Sequence, residues 1–441
     1  MKTLFAIVLV VLAVSLYSCR PLPPLTADSK IPIELIRADF HQVTSAIEQR
    51  TPNPFYMCGK ASYDSMKLKI DKSLNKPLSP VQFYQKLSPL LTLLNDGHFQ
   101  LFIGDGILKQ LENDNPTLYF PFSVFIDGNK IYTNKNMSSD TGIHKGTEIL
   151  RINNIPANII IEKIRNGISL SHNQENFFER RLEDHFFRSL LMDIGLRNNF
   201  TIVFKNKTAK LKGVSAKIIE QCDPEPDDFS YRIIGGRNKI GYFRLNTLLG
   251  SKKQKLDSTL SILFKMLDQQ KVTDLVVDIR NNLGGSTKLA RAVFNYITTK
   301  KYKIDLGEEY FENGKKITDY DTAWIIPEKV AHKFKGNIIL LTNVKTYSSA
   351  HMMAIGFKSA DMGKVIGQVS SEPLYISGEV QELITTNTKC LFYYPVSNFY
   401  LPGYEKENIS YFVPDIEVYP KIADRINEKD EAIDLVKKIM K

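Results

Sequence analysis

Cysteine is scarce in this 441-residue chain: there are four, and one of them, Cys19, closes an apolar N-terminal run. The remaining Cys58, Cys222 and Cys390 are odd in number, so at most one disulfide can form among them. Their spacing suits neither a zinc site nor a redox motif. Nothing in the pattern calls for a metal ion or a cofactor. The formal net charge is +10, yet no zinc-finger, helix-turn-helix or RNA-recognition signature accompanies it. The basic residues are scattered, which reads as a solvated surface rather than a nucleic-acid footprint. There is no phosphate-loop lysine pattern, no G-x-S-x-G elbow and no internal repeat, which argues against a nucleotide cradle and against a lipase or esterase. With 43% hydrophobic and 24% charged residues, neither disorder nor a fibrous class is indicated. The length asks for about two or three domains.

The N-terminus has its own character. "MKTLFAIVLVVLAVSLYSC" places a lysine before a short apolar run and small or polar residues before Cys19. The run is short for a membrane span and reads as a secretory signal. "LYSC" resembles a bacterial lipobox, in which Cys19 is lipidated and begins the mature chain; Tyr17 is bulky for that motif, and a plain signal peptide cut nearby is the alternative. The proline-rich "RPLPPLTADSK" that follows reads as a tether.

Beyond it, residues 30 to about 105 read as helical. In "LSPVQFYQKLSPLLTLLNDG", Ser79 is a predicted N-cap, Pro80 a first helical residue, Gln82 the far end of a capping box and Gly97 the stop, with Pro89 inside. Residues 106–228 shift to short β-like runs, with a hairpin predicted across Asp127-Gly128 and the acidic "DPEPDD" as a linker. From 229 onward, apolar runs such as "IGYFRL", "TDLVVDI" and "NIILLTN" alternate with helical stretches, which implies parallel strands with crossovers.

Chemistry-bearing residues stand at the ends of these elements. In "LVVDIRNNLGGS" a strand runs into Gly284-Gly285, whose backbone N–H groups can approach an oxyanion without Cβ obstruction. In "VKTYSSAHMM", Ser348 and Ser349 lie at a strand-to-helix junction, where a serine is either a cap or a nucleophile. In "LNDGHFQLF", His98 follows the end of a helix. Each patch alone also reads as a turn, a cap or a surface histidine.

Their order changes the reading. "DGHFQL", then "DIRNNLGG", then "TYSSA", "GKVIGQ" and "FVPDIEV" resemble the C-terminal processing peptidases and their tricorn-core and retinoid-binding-protein-like relatives, and "KGTEILRINNIPA" resembles a PDZ domain, with Asn154 where that family has glycine. The resemblance implies an α/β fold: a crotonase-like peptidase core at 229–441, a PDZ-like β-rich domain at 106–228, and an N-terminal helical domain at 30–105 carrying the DGH segment, after a signal peptide at 1–18 and a tether at 19–29. It implies Ser348 as nucleophile, with Ser349 the fallback, and backbone N–H groups of Ser349 and of Gly284 or Gly285 as oxyanion hole.

The chain departs from the processing branch, whose lysine base stands about 25 residues past the serine. No lysine lies between Lys364 and Lys389. The tricorn branch implies His98 as base, with Glu379 as its acidic support and Glu372 as the alternative; His351, one turn into the helix, reads as structural, with competition as base the alternative. The expected function is a secreted, lipid-anchored serine endopeptidase of the cell envelope, on the periplasmic or outer surface, acting on peptides or unfolded chain ends. Its partners are the peptide or unfolded protein and the membrane, through the anchor. The alternative is a catalytically inactive relative that binds peptides or ligands.

Overall fold

The computed structural model describes residues 25–440 except 114–116, 171–174, 236–237, 322 and 407. Cys19, the signal peptide and most of the tether lie outside the described residues. The helical segment gives α1 (Ile33–Arg50), α2 (Lys60–Ser73) and α3 (Pro80–Leu94), then the short strand β1 (Gln100–Phe102) and α4 (Asp105–Asn113). In α1, Ile36, Phe40, Val43 and Ile47 fall on one buried stripe, as the 3.6-residue period requires. The capping box of α3 forms as predicted: Gln82 N donates to Ser79 Oγ, and Ser79 N to Gln82 Oε1. The helix ends earlier than Gly97, however. Asn95 takes the left-handed turn at φ 54°, a conformation asparagine tolerates.

Next come β2 (Phe122–Asp127) and β3 (Lys130–Asn136), β4 (Glu148–Ile152) and β5 (Ile155–Pro156), α5 (Ala157–Arg165), α6 (Glu175–Ser189), a π-turn at Leu190–Ile194, β6 (Asn199–Phe204), β7 (Thr208–Lys212) and α7 (Ala216–Cys222). The strands form a sheet in the order β2-β3-β4-β6-β7, with β5 on β4. The β4–β5 turn uses Asn153 and Asn154 at φ 45° and 65°, so asparagine does there what glycine does in the resembled family. The helix α6 breaks the expected run of strands. Its buried Phe177, Phe178, Leu182 and Phe186 are at helical spacing and close over the sheet.

The remaining chain is β8 (Phe229–Ile234), β9 (Ile240–Leu245), α8 (Lys253–Gln269), β10 (Asp274–Asp278), α9 (Thr287–Ile297), β11 (Gly307–Glu312), β12 (Lys315–Asp319), β13 (Asn337–Thr342), α10 (Ser349–Ser359), β14 (Lys364–Gly367), β15 (Tyr375–Ile384), β16 (Leu391–Tyr400), β17 (Ile416–Glu417), α11 (Ile422–Ile426) and α12 (Glu431–Ile439). The central sheet runs β17-β14-β13-β10-β9-β8 and is parallel except for the β8–β9 pair. Both faces are covered: Leu275 and Val277 meet the helical layer, while Val276 and Leu341 meet Val436 of α12. That explains the near-continuous apolar runs of β10 and β13.

A second sheet, β1-β16-β11-β12 with β15 on β16, ties the chain's beginning to its end. Cys390, Phe392 and Tyr394 of the β15–β16 hairpin share a core with Phe40, Phe83 and Leu91. Buried Asp39 accepts from Thr388 N at 2.6 Å and Thr388 Oγ1 at 2.7 Å, fixing the hairpin turn to α1. The N-terminal helices therefore share their core with the C-terminal segment, and this brings His98 to the end of the parallel sheet.

Candidate active site

The loops after β10 and β13 are built against each other. Asn282 is buried; its Nδ2 donates to Leu245 O, its Oδ1 accepts from Gly284 N and its carbonyl from Tyr347 N, at 2.9, 2.9 and 3.0 Å. Gly284 sits at φ 95°, and a Cβ there would lie 2.8 Å from Ser348 Cβ, Ser349 N and Tyr347 O. Only glycine leaves room for the serine turn to press this close.

Ser348 precedes α10 at φ 52°, ψ −127°, a conformation that costs a non-glycine residue energy and is held by its surroundings. Its side chain makes no capping hydrogen bond, although it stands at the N-cap. Ser349 differs: it is buried and its hydroxyl donates to Gly285 O at 2.8 Å. The neighbouring serines thus divide the two readings, Ser349 structural and Ser348 free.

His98 is 6% exposed. Its Nδ1 faces Asp96 Oδ1 at 3.1 Å, Ser377 Oγ at 3.0 Å and Tyr347 Oη at 3.2 Å, and Glu372 Oε1 lies 3.8 Å away. Its Nε2 is buried without a hydrogen-bond partner among the described residues, the nitrogen that a base would use. Asp96 also accepts from His98 N at 2.9 Å and from Ser377 Oγ at 2.5 Å. Glu372 accepts a hydrogen bond from Ser348 N.

Burial opposes charge on His98, but the Asp96 hydrogen bond and charge, with the charge of Glu372, outweigh it and raise the imidazole pKa above its ordinary value. Burial pushes Glu372 up to about 7; the positive His98 and the Ser348 N–H oppose that, and Asp96 adds to it. Asp96 itself stays below the usual carboxylate range, since the His98 and Ser377 hydrogen bonds outweigh its burial.

The acid assignment from sequence needs correction. Glu379 is exposed, at φ 47° in β15, two residues beyond Ser377, and no hydrogen bond or ion pair among the described residues joins it to His98. Asp96 and Glu372 occupy the acidic places instead. Asp96 and Ser377 were missed; Asp96 stands two residues before His98, within reach of inspection, whereas Ser377 becomes a neighbour only through the β15–β16 pairing. His351 is no rival base: it is fully buried, its Nε2 lies 3.0 Å from Pro373 O and its Nδ1 2.6 Å from Ser370 Oγ, and burial lowers its pKa to about 4. Of the oxyanion donors, Gly284 N is already spent on Asn282, leaving Gly285 N and Ser349 N without a partner among the described residues.

Residues 239–418 match the model of peptidase family S41. This part of the chain, under half of its length, is similar to family S41 domains, and the protein is in class a serine-type peptidase. Mature CPAF in complex with lactacystin has the same fold: 13% identity, a TM-score of 0.66, and alignment over 92% of this chain and 98% of that one. A mutant of CPAF aligns at 12% identity with a TM-score of 0.69, over 92% and 97% of the respective chains. No curated protein matches the sequence.

Proposed function

We propose that the protein is a secreted, lipid-anchored endopeptidase that cleaves peptides or unfolded chain ends. Ser348 attacks the scissile carbonyl while His98 Nε2 takes its proton. Asp96 holds the imidazole by Nδ1 and stabilises the imidazolium, assisted by Glu372. The N–H groups of Gly285 and Ser349 receive the oxyanion. The PDZ-like segment holds a substrate chain by strand addition. The observation that carries this reading is a buried histidine whose Nδ1 meets a carboxylate and whose Nε2 is unpartnered, beside a strained serine that caps nothing.

The test is labelling by a fluorophosphonate probe with turnover of a quenched peptide panel. Ser348→Ala should abolish both and His98→Ala should remove several powers of ten of turnover. Their combination should add little, because the groups act as one unit. Glu379→Gln should leave both readouts within a factor of about two, as expected for a surface residue away from the machinery. Neither labelling nor turnover in folded wild type over the whole panel would favour the inactive, peptide-binding relative.

A further inference from the structure

Downstream of His98 the chain enters β1, the terminal strand of its sheet: it pairs with β16 on one side, and on the other no strand pairs with it among the described residues. Such an edge presents unused N–H and C=O groups to any chain that lies beside it. Here Gln100, Leu101, Phe102 and Ile103 line an open cavity of about 130 Å³, between α3 on one side and α6 on the other. Leu91, Phe99, Leu108, Ile168 and Met192 supply apolar walls.

The α6 wall is basic. Arg181, His185 and Arg188 line the cavity at spacings of four and three, hence on one helical face. Arg180 next door is paired with Glu179 and Glu183, but Arg181 and Arg188 make no ion pair or hydrogen bond among the described residues. Burial and then the charge of Arg181 lower the His185 pKa to about 4, so the wall carries its charge on the arginines. Seven helical residues cover about 10 Å, the length of about three residues of extended chain. Same-face residues of an extended chain lie about 7 Å (two apart) or about 13 Å (four apart) from each other, and the long arginine side chains bridge the difference to carboxylates on one face of a strand.

We propose that an acidic, extended segment of the substrate adds to the free edge of β1, its apolar side chains in the cavity and its carboxylates on Arg181 and Arg188. Because β1 begins two residues after His98, a peptide on this edge is led along the chain to the base. The proposal rests on the peptidase reading of the site and adds to it the charge class of substrate and the strand that receives it.

The test uses the full chain carrying Ser348→Ala, so that binding is read without turnover, and a fluorescein-labelled peptide of about ten residues alternating leucine with glutamate. Anisotropy should give an affinity at least about tenfold higher than for the same peptide with lysine for glutamate. Arg181→Ala/Arg188→Ala should erase that preference while leaving binding of a third peptide, with glutamine for glutamate, unchanged. N-methylation of alternate peptide amides should weaken binding in one register and spare it in the other, as strand addition requires; this arm leaves the protein untouched. Equal binding of the glutamate and lysine peptides, or indifference to methylation in both registers, would overturn the proposal. Binding of dodecanoate in the cavity without binding of peptide would overturn it in favour of an amphiphile. In the otherwise wild-type protein, cleavage with no preference for the acidic peptide sinks this inference alone, whereas selective binding without cleavage sinks the peptidase reading alone.

Discussion

Asp96→Asn isolates the charge that sets the base. The asparagine keeps an oxygen for His98 N and a polar partner for Ser377 Oγ, now 2.9 and 2.5 Å from the carboxylate, so the hydrogen-bond net can persist while the negative charge disappears. The carboxylate is 3.1 Å from Nδ1 of a histidine with 6% exposure, where solvent screens little. An opposite charge so placed favours the protonated imidazole and raises its pKa. The sign follows from the role. A base works when neutral, so wild-type kcat/KM should rise with pH through a midpoint above the ordinary imidazole value of about 6.5, because the folded-state pKa is raised. In Asp96→Asn that midpoint should move down, while the plateau falls by about 10²–10⁴ because the imidazolium loses its support. Glu372, with its own pKa near 7, contributes to the same limb, so the midpoint belongs to the coupled pair. Glu372→Gln, 3.8 Å from Nδ1, should shift it downward by less. The assay is the pH profile of quenched-peptide cleavage with structure checked at each pH. A midpoint unchanged or raised in Asp96→Asn would refute the assignment.

Two further outcomes follow from the packing and a third from the N-terminal sequence. Gly284→Ala puts a Cβ 2.8 Å from Ser348 Cβ at φ 95°, so the serine turn must move; kcat/KM should fall about 10–100-fold and unfolding stability by about 1–3 kcal/mol, read by kinetics and urea titration, and wild-type kinetics would refute the close approach. His351→Ala should cost about 2–4 kcal/mol at pH 7 with turnover per folded molecule preserved. Since the folded pKa of His351 is lowered to about 4, wild type loses stability as pH falls from about 6.5 toward 4, so the gap to the alanine variant should narrow by about 3 kcal/mol over that window; a gap independent of pH would contradict a buried neutral imidazole. In the full-length gene, Cys19→Ser should abolish incorporation of labelled fatty acid, and equal label in both proteins would dismiss the anchor.

Local signals were readable because their causes are local. The Ser79–Gln82 box, the Asp127-Gly128 hairpin and the apolar runs of β10 and β13 each depend on neighbouring residues or a fixed period, and the structure shows them in place. The helix α6 was legible too, from Phe177, Phe178, Leu182 and Phe186, but strands on either side drew attention to the wrong period. The order of the "DGH", "NNLGG" and "YSSA" segments likewise disclosed the family, since motif order is a property of the chain itself.

The division between Ser348 and Ser349, and between Glu379 and Glu372, was not open to sequence. Both serines follow the same strand, and what separates them is a carbonyl 64 positions away, on Gly285, which takes one hydroxyl and leaves the other. Glu379 lies past Ser377 on the same strand, yet its placement on an exposed stretch removes it from His98, while Glu372 folds back onto Ser348 N from the loop before β15. The sequence determined which elements form and which residues stand at their ends. The tertiary structure decided which of those ends meet, because hydrogen bonds between distant segments are set by sheet pairing, and the β1–β16 pairing, with the core the N-terminal helices share with that hairpin, brings His98 to Tyr347, 249 positions along the chain.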